Sequence, residues 1–385
     1  MVKNNESFST AILLVFGLIT GCTTVPKESS IDIQKKTINL PQDHTPMYMN
    51  DFAQADMTEF LDGFIDYEYP ANDVYFKGLY LSGSNLYGVM LDKSSHYSIG
   101  LFSLDTSNGN VLKLIQSDDS GYDMNIVFVD DNYMVYWIYS GLSSDLNIYY
   151  YDLNTDENTL VFHDPHSNEL MNVFAEGDKG GFMYSCYNSE INDYEIRYVS
   201  LPSMETESVA VHSIMPVKAG DIWYFLSAED ENYEDRYLSY YDGRKVNRID
   251  VNNLKGRITA ISAIDDTHLL LIDTDLSSGF GHSYAYSIDL KTYTAEYLFE
   301  TNSMIETVQT AGRFISWGAY TPEYGITANL FDMVNKEYYP LETHFIWLDN
   351  EKIAYRKYKM SINEAVQYYT LEQDVSCFSV RCDKD

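Results

Sequence analysis

Hydrophobic residues in this chain fall in short runs bounded by turn residues, and the runs recur at a regular interval. Ile148 to Tyr151 is β-branched and aromatic, Asn154 to Asn158 is turn chemistry, and Leu160 to Phe162 resumes the apolar pattern. That strand–turn–strand unit repeats. Aligned on Asp152, the equivalent positions are Asp105, Ser200, Asp242, Asp289, Asp332 and, in a degenerate last copy, Thr370, with spacings of 47, 48, 42, 47, 43 and 38 residues. Each period also holds two further apolar runs split by an acidic turn, as in Ile126 to Val129, Asp130 to Asn132 and Met134 to Tyr139. A period of roughly 40 to 50 residues containing four short strands predicts propeller blades. The runs are nearly continuous rather than alternating, which suits sheets buried on both faces.

The expected fold is therefore all-β: a seven-bladed β-propeller of four-stranded blades, with six or eight blades as alternatives. The modules span 76–119, 123–169, 172–213, 214–254, 257–301, 303–344 and 345–380. The propeller as a whole covers 74–380, with a tail over 381–385 and no room for a second globular domain. The first and last modules each show four strands of their own, so no strand is expected to pass from the N-terminus to the last blade.

Asp105, Asp152, Asp242, Asp289 and Asp332 close the third strand of their modules. An Asp there can accept hydrogen bonds from the backbone N–H groups of the following turn. A ring of carboxylates around a site is the alternative. The structural role is preferred, because the residue repeats in most modules whereas a site would be unique.

The first residues do not fit the repeat. Lys3 precedes an apolar core from Ala11 to Ile19, of signal-peptide length and too short for a permanent membrane span. It ends in Leu18-Ile19-Thr20-Gly21-Cys22, which resembles the lipobox of bacterial lipoproteins. The resemblance implies cleavage after residue 21, acylation of Cys22 and export to a membrane surface, with several acyl chains giving stable anchoring. Residues 22–46 are polar with three prolines and read as a flexible tether. Residues 47–73 are a lead-in. Phe52, Met57, Phe60, Leu61 and Phe64 have near-helical spacing, so a short helix is expected there, with a strand completing the ring as the alternative.

Charge narrows the partners. With 58 acidic against 25 basic residues the formal net charge is −33, which disfavours nucleic acid and anionic lipid surfaces. Of the four cysteines, Cys377 and Cys382 could form a disulfide across a turn in an exported protein, and Cys186 reads as a buried small hydrophobe. No metal and no cofactor are expected. His163 and His166 are three apart but flank Pro165; Asp273 and Asp275 lack the rest of a calcium loop; and the acidic loop 228–235 either holds calcium or is a solvated tip. No nucleophile elbow, phosphate loop or dinucleotide fingerprint is present.

The strand–Asp–turn–strand period behind a lipobox resembles the TolB-like β-propeller lipoproteins of bacteria, a likeness covering about 74–380. Quinone-cofactor propellers share an Asp-turn but follow it with a Trp, which the turn at Asp105 lacks. The regular repeat and the lack of a catalytic motif lead to the expectation of a monomeric, membrane-anchored module that binds protein or glycan without catalysis. The competing reading is a propeller-fold carbohydrate-active enzyme using axial carboxylates. The second-to-third-strand loops differ in every module while the strand–Asp core is kept, so those loops are expected on one rim as the recognition face.

Overall fold

The computed structural model describes residues 36–382 except 49–50, 55–63, 71–73, 84, 93–94, 96, 106–110, 117–121, 141–144, 166–172, 202, 231–232, 278, 280, 306, 322–324, 340–345, 350–351 and 364–367. They belong to one compact unit, 35–385. Cys22 and the start of the tether lie outside the described residues.

Among the described residues seven four-stranded antiparallel units form the blades, with an N-terminal strand joining blades 4 and 5 into one nine-stranded sheet and another adding a fifth strand to blade 6. Blades 1 to 6 are meanders over 74–116, 122–164, 174–211, 213–252, 257–301 and 308–339. Within a blade the second strand is the most buried: Gly181–Asn188, Ile222–Ala228 and His268–Asp275 are buried over nearly their whole length. The fourth strand is the outer edge, and in blade 3 Glu205–Val211 is largely exposed. The first strand of each blade packs on the first strand of the next, and Ile346–Asp349 packs on Val74–Ser82, so the inner strands make a closed ring.

The core is divided among the blade interfaces. Between blades 2 and 3, Tyr133, Val135 and Ile148 pack against Phe182 and Tyr184. Between blades 5 and 6, Leu270 and Phe299 pack against Trp317 and Phe331. Tyrosine serves this interface well because its ring packs while its hydroxyl ties backbones together. Tyr133 stacks on Tyr150 at 5.2 Å and donates to the carbonyl of Asp178 in the next blade at 3.0 Å.

Three expectations change at the ends of the chain. Blade 7 takes Ile346–Asp349, Lys352–Asn363 and Tyr368–Cys382 from the C-terminus, and its fourth strand is Phe64–Pro70 from the N-terminal region. The N-terminal side therefore does lend a strand, with Phe64 opposite Arg381 and Pro70 opposite Val375. Reading four strands into the last module mistook one long strand for two. The propeller thus begins at Phe64 and runs to Cys382. Of the expected helix, Ala53–Gln54 and Phe64 are in strands, and 55–63 lie outside the described residues.

The second change concerns the tether, which is packed from residue 36 onward. Thr37–Asn39 pairs in parallel with the outer strand of blade 4 and, at Asn39, with that of blade 5. Ile38 and Leu40 are buried, and the Lys36 ammonium lies 4.0 Å from the ring centre of Tyr240. The amide of Glu300 in blade 5 donates to the Met47 carbonyl at 3.0 Å, and Ala53–Gln54 pairs with the outer strand of blade 6. The described residues between 36 and 54 therefore follow the outer edges of blades 4, 5 and 6, and 64–70 complete blade 7.

The third change is the disulfide. Cys377 and Cys382 lie on one extended strand, opposite Lys357 and Lys352. Five residues at a strand's rise place their Cα atoms about 16 Å apart, well beyond disulfide reach.

Candidate ligand cavity on the face of the second-to-third-strand loops

The meander separates two faces. First strands begin, second strands end and third strands begin on one face; the turns after strands one and three lie on the other. The Asp turns occupy that second face. Asp152 Oδ1 accepts from the amides of Asn154 and Thr155 at 2.8 and 3.1 Å. Asp242 does so from Arg244 and Lys245, Asp289 from Lys291 and Thr292, and Asp332 from Val334 and Asn335. The backbone N–H groups hold the carboxyls of Asp242 and Asp289 below the usual range. Asp105 ends its strand at the same place, and its turn, 106–110, lies outside the described residues. First-strand turns repeat the device: Asp130 Oδ1 accepts from Asn132 and Tyr133, and Asp265 Oδ1 from Thr267. The carboxylates whose turns are described are distributed over blades 2, 4, 5 and 6, and each is engaged by its own turn.

On the opposite face, blades 3 to 6 enclose a cavity of about 250 Å³. Its polar lining is Arg236, Arg257, Tyr194, Tyr233, Thr259 and Thr307, and its apolar lining includes Phe174 and Met215. The same two arginines border a second hollow of about 430 Å³, lined also by Glu234, Asp235 and Arg248, the last paired with Glu229 and Asp250.

Local structure explains how these side chains arrive there. Asp273, fully buried, accepts the amides of Lys255 and Gly256 at 2.6 and 3.0 Å. Burial pushes its carboxyl up, against the pull of those amides. Gly256 permits the approach, since a Cβ there would stand 2.0 Å from the Thr274 carbonyl oxygen. This anchor fixes the start of the first strand of blade 5 and with it Arg257. A buried hydroxyl chain continues the support: Thr259 Oγ1 contacts Thr274 Oγ1 at 2.8 Å, which contacts Ser283 Oγ at 2.8 Å. Thr259 also donates to the Ile305 carbonyl at 2.7 Å, holding the link into blade 6.

Two backbone outliers face the cavity. Met215 has φ +56° beside a register shift in the first strand of blade 4, and a bulge of this kind re-aims a side chain. Tyr233 has φ +55° and stands edge-on to Tyr194 at 5.7 Å. Its hydroxyl donates to Asp193 Oδ1 at 2.7 Å. Burial, and then the Asp193 hydrogen bond, raise the Tyr233 pKa, so the phenol stays neutral. Asp193 also accepts the Tyr194 amide at 2.6 Å and contacts His212.

Closer to the other face, Glu176 lies on the first strand of blade 3. Burial pushes its carboxyl up to about 7, with the Gly177 amide and Lys218 acting in the opposite sense. The Lys218 ammonium contacts Asp178.

Most of the cavity was not singled out in the sequence. The acidic loop 228–235 was, yet its inward-turning member is Tyr233 rather than a carboxylate. Asp273 and Asp275 do not converge: one holds the backbone at 255–256 and the other caps Ser277 at 2.8 Å. His163 contacts the Asn147 side chain at 2.8 Å, and His166 lies outside the described residues. Cys186 is buried among the blade 2 and 3 side chains, and burial raises its thiol pKa. Among the described residues no three His, Cys, Asp or Glu side chains converge as metal ligands would.

No protein-family model and no curated protein sequence matches the chain. Solved structures do. An oligogalacturonate lyase in complex with manganese is similar at 12% identity and TM-score 0.51, over 83% of this chain and 91% of that one. The β-propeller domain of the trilobed protease from Pyrococcus furiosus is similar at 12% identity and TM-score 0.53, over 78% and 95%. An acylaminoacyl peptidase from Pyrococcus horikoshii is similar at 9% identity and TM-score 0.52, over 78% of this chain and 51% of that one. The chain is a β-propeller. It spans about half of the peptidase and nearly all of the lyase and of the trilobed protease domain, and at such identities the likeness is one of fold.

Proposed function

We propose that this propeller is an exported, lipid-anchored binding module of the TolB-like lipoprotein kind, which takes a protein or glycan ligand on the face of its second-to-third-strand loops and does not turn it over. The observation that carries this reading is the chemistry of the cavity. Its polar lining is built from guanidinium, phenol and threonine hydroxyl groups, and the carboxylates beside it, Asp193 and Asp273, are engaged by hydrogen bonds. Glycoside cleavage by paired carboxylates needs two such groups open to substrate.

One observation favours the enzymatic reading: Glu176 has its carboxyl raised to about 7, the range of a general acid or base. Both readings are tested together. Binding to peptide and glycan arrays is measured beside turnover of chromogenic glycosides and oligogalacturonate. Binding without turnover is expected. Turnover that disappears in Glu176→Gln would replace the binding module with an enzyme. Anchoring is tested by Cys22→Ala, which should move the protein from the membrane to the soluble fraction; unchanged partition would end the lipoprotein reading.

A further inference from the structure

We infer that the 250 Å³ cavity receives a carboxylate carried on an apolar body, the C-terminal residue of a peptide, held by Arg236 and Arg257. The inference rests on the reading that this face binds ligand, and it names the ligand's chemistry.

Both arginines line the cavity, and guanidinium is the side chain whose planar donors match a carboxylate in pairs. Arg236 is already oriented, its Nε donating to the Tyr233 carbonyl at 3.1 Å. Arg257 is different. Its Nε is buried and makes no hydrogen bond among the described residues. A buried donor without an acceptor is costly, and an entering carboxylate would supply the acceptor. Asp193 is taken by Tyr233, Tyr194 and His212, and Asp273 by the 255–256 backbone, while Glu234 and Asp235 border the adjoining hollow and are not among the residues that line this cavity. Arg236 and Arg257 are the charged side chains among the residues that line this cavity.

Besides the arginines, the two tyrosines, Thr259, whose hydroxyl is already engaged, and Thr307, the rest of the lining is apolar and selects the body of the ligand. Phe174, Ile214, Met215 and Met304 offer no hydrogen bonds from their side chains. A sugar acid carries hydroxyls around its ring, and those facing such a wall would be desolvated without partners. An apolar side chain meets no such penalty. The volume, about 250 Å³, is below the roughly 300–1,000 Å³ of pockets for drug-sized ligands, so one residue with its carboxylate fits the space better than an oligomer.

The test is calorimetric titration of the full chain, purified in detergent, with N-acetyl-Ala-Phe as free acid, the same dipeptide as C-terminal amide, and galacturonate. The free acid is expected to bind, and the amide to bind at least about tenfold more weakly, the loss of a charge-assisted hydrogen bond. Arg257→Gln should weaken the free acid by a similar factor without lowering the melting temperature of the ligand-free protein, since it removes an unpartnered buried donor. Arg257→Lys should recover only part of the affinity, because an ammonium lacks the paired geometry. Equal binding of acid and amide, undiminished binding in Arg257→Gln, or no binding of the dipeptide acid overturns the inference. Galacturonate binding that depends on Arg257, with none by the dipeptide, would overturn the peptide assignment and leave the ligand face standing. If no ligand on the arrays responds to Met215→Trp, which fills the cavity, the ligand-face reading itself fails.

Discussion

Single carboxyls in this molecule are tuned in opposite directions, and that sets its response to pH. Glu176 is raised from 4.5 to about 7, chiefly by burial. A raised carboxyl favours the neutral form in the folded state, so its contribution is full below the unfolded value and is lost as pH rises through about 7. Asp242 and Asp289 are lowered, chiefly by backbone N–H donors, so their contribution is present above the ordinary carboxylate range and is lost as pH falls through their lowered values. Stability should therefore peak at mildly acidic pH, and Glu176→Gln should raise stability at pH 8 by on the order of 1–3 kcal/mol while changing it little at pH 4. Melting curves of both proteins across pH check this; a Glu176→Gln curve parallel to the parent at every pH would refute it. Asp152→Ala should cost about 0.5–2 kcal/mol, as other lost side-chain caps do, and leave ligand affinity intact. Loss of affinity at unchanged melting temperature would make Asp152 a site residue instead. These turn residues were legible because an Asx turn is local chemistry, written within four residues. Arg257 was not, because an arginine opening a strand has no local signature; its meaning depends on Asp273 and Tyr233, which the fold brings to the same cavity region.

At the scale of elements, the strands of blades 1 to 6 were readable because each blade is covered on both faces, which turns its strands into apolar runs. The strap over 36–48 was not. Its pattern is Lys36-Thr37-Ile38-Asn39-Leu40, where only Ile38 and Leu40 point inward, and two apolar residues in a polar, proline-containing stretch read equally well as tether. Its partners are the outer strands of blades 4 and 5, whose open edges a passing segment can pair with. The strap is an element only in the presence of the finished sheets. Ile38→Ala should cost about 2–5 kcal/mol, the range for a buried aliphatic truncated in a packed site, whereas Gln42→Ala, at an exposed position, should cost little. Chemical denaturation distinguishes them, and equal midpoints for the two variants would mean that the strap contributes no packing.

The whole ring is held by the least local pairing in the chain. Phe64–Pro70 lies along Tyr368–Cys382, joining the two ends of the described chain in one blade. Without it Tyr368–Cys382 would present an open edge, and only the contacts of the three C-terminal strands of blade 7 with Val74–Ser82 would oppose opening of the ring. Periodicity could count seven modules, but it could not assign a strand that stands outside the period and closes it. Asp66 and Ser379 face each other across this pairing. Directly opposed residues of antiparallel strands have Cα atoms about 4.5–5.5 Å apart, within disulfide range. A chain carrying Asp66→Cys and Ser379→Cys should therefore form the bond on mild oxidation. Because the bond closes a loop of several hundred residues, it should stabilise the fold by up to about 4–5 kcal/mol, less any strain it introduces. Oxidised and reduced forms of the same variant are compared by calorimetry, with Asp66→Cys alone controlling for disulfides to the other cysteines. A rise in melting temperature on oxidation that reductant reverses, and that the single variant lacks, is the expected result. If the double variant instead yields free thiols under oxidant, or oxidises without a change in melting temperature, the N-terminal strand does not close the seventh blade.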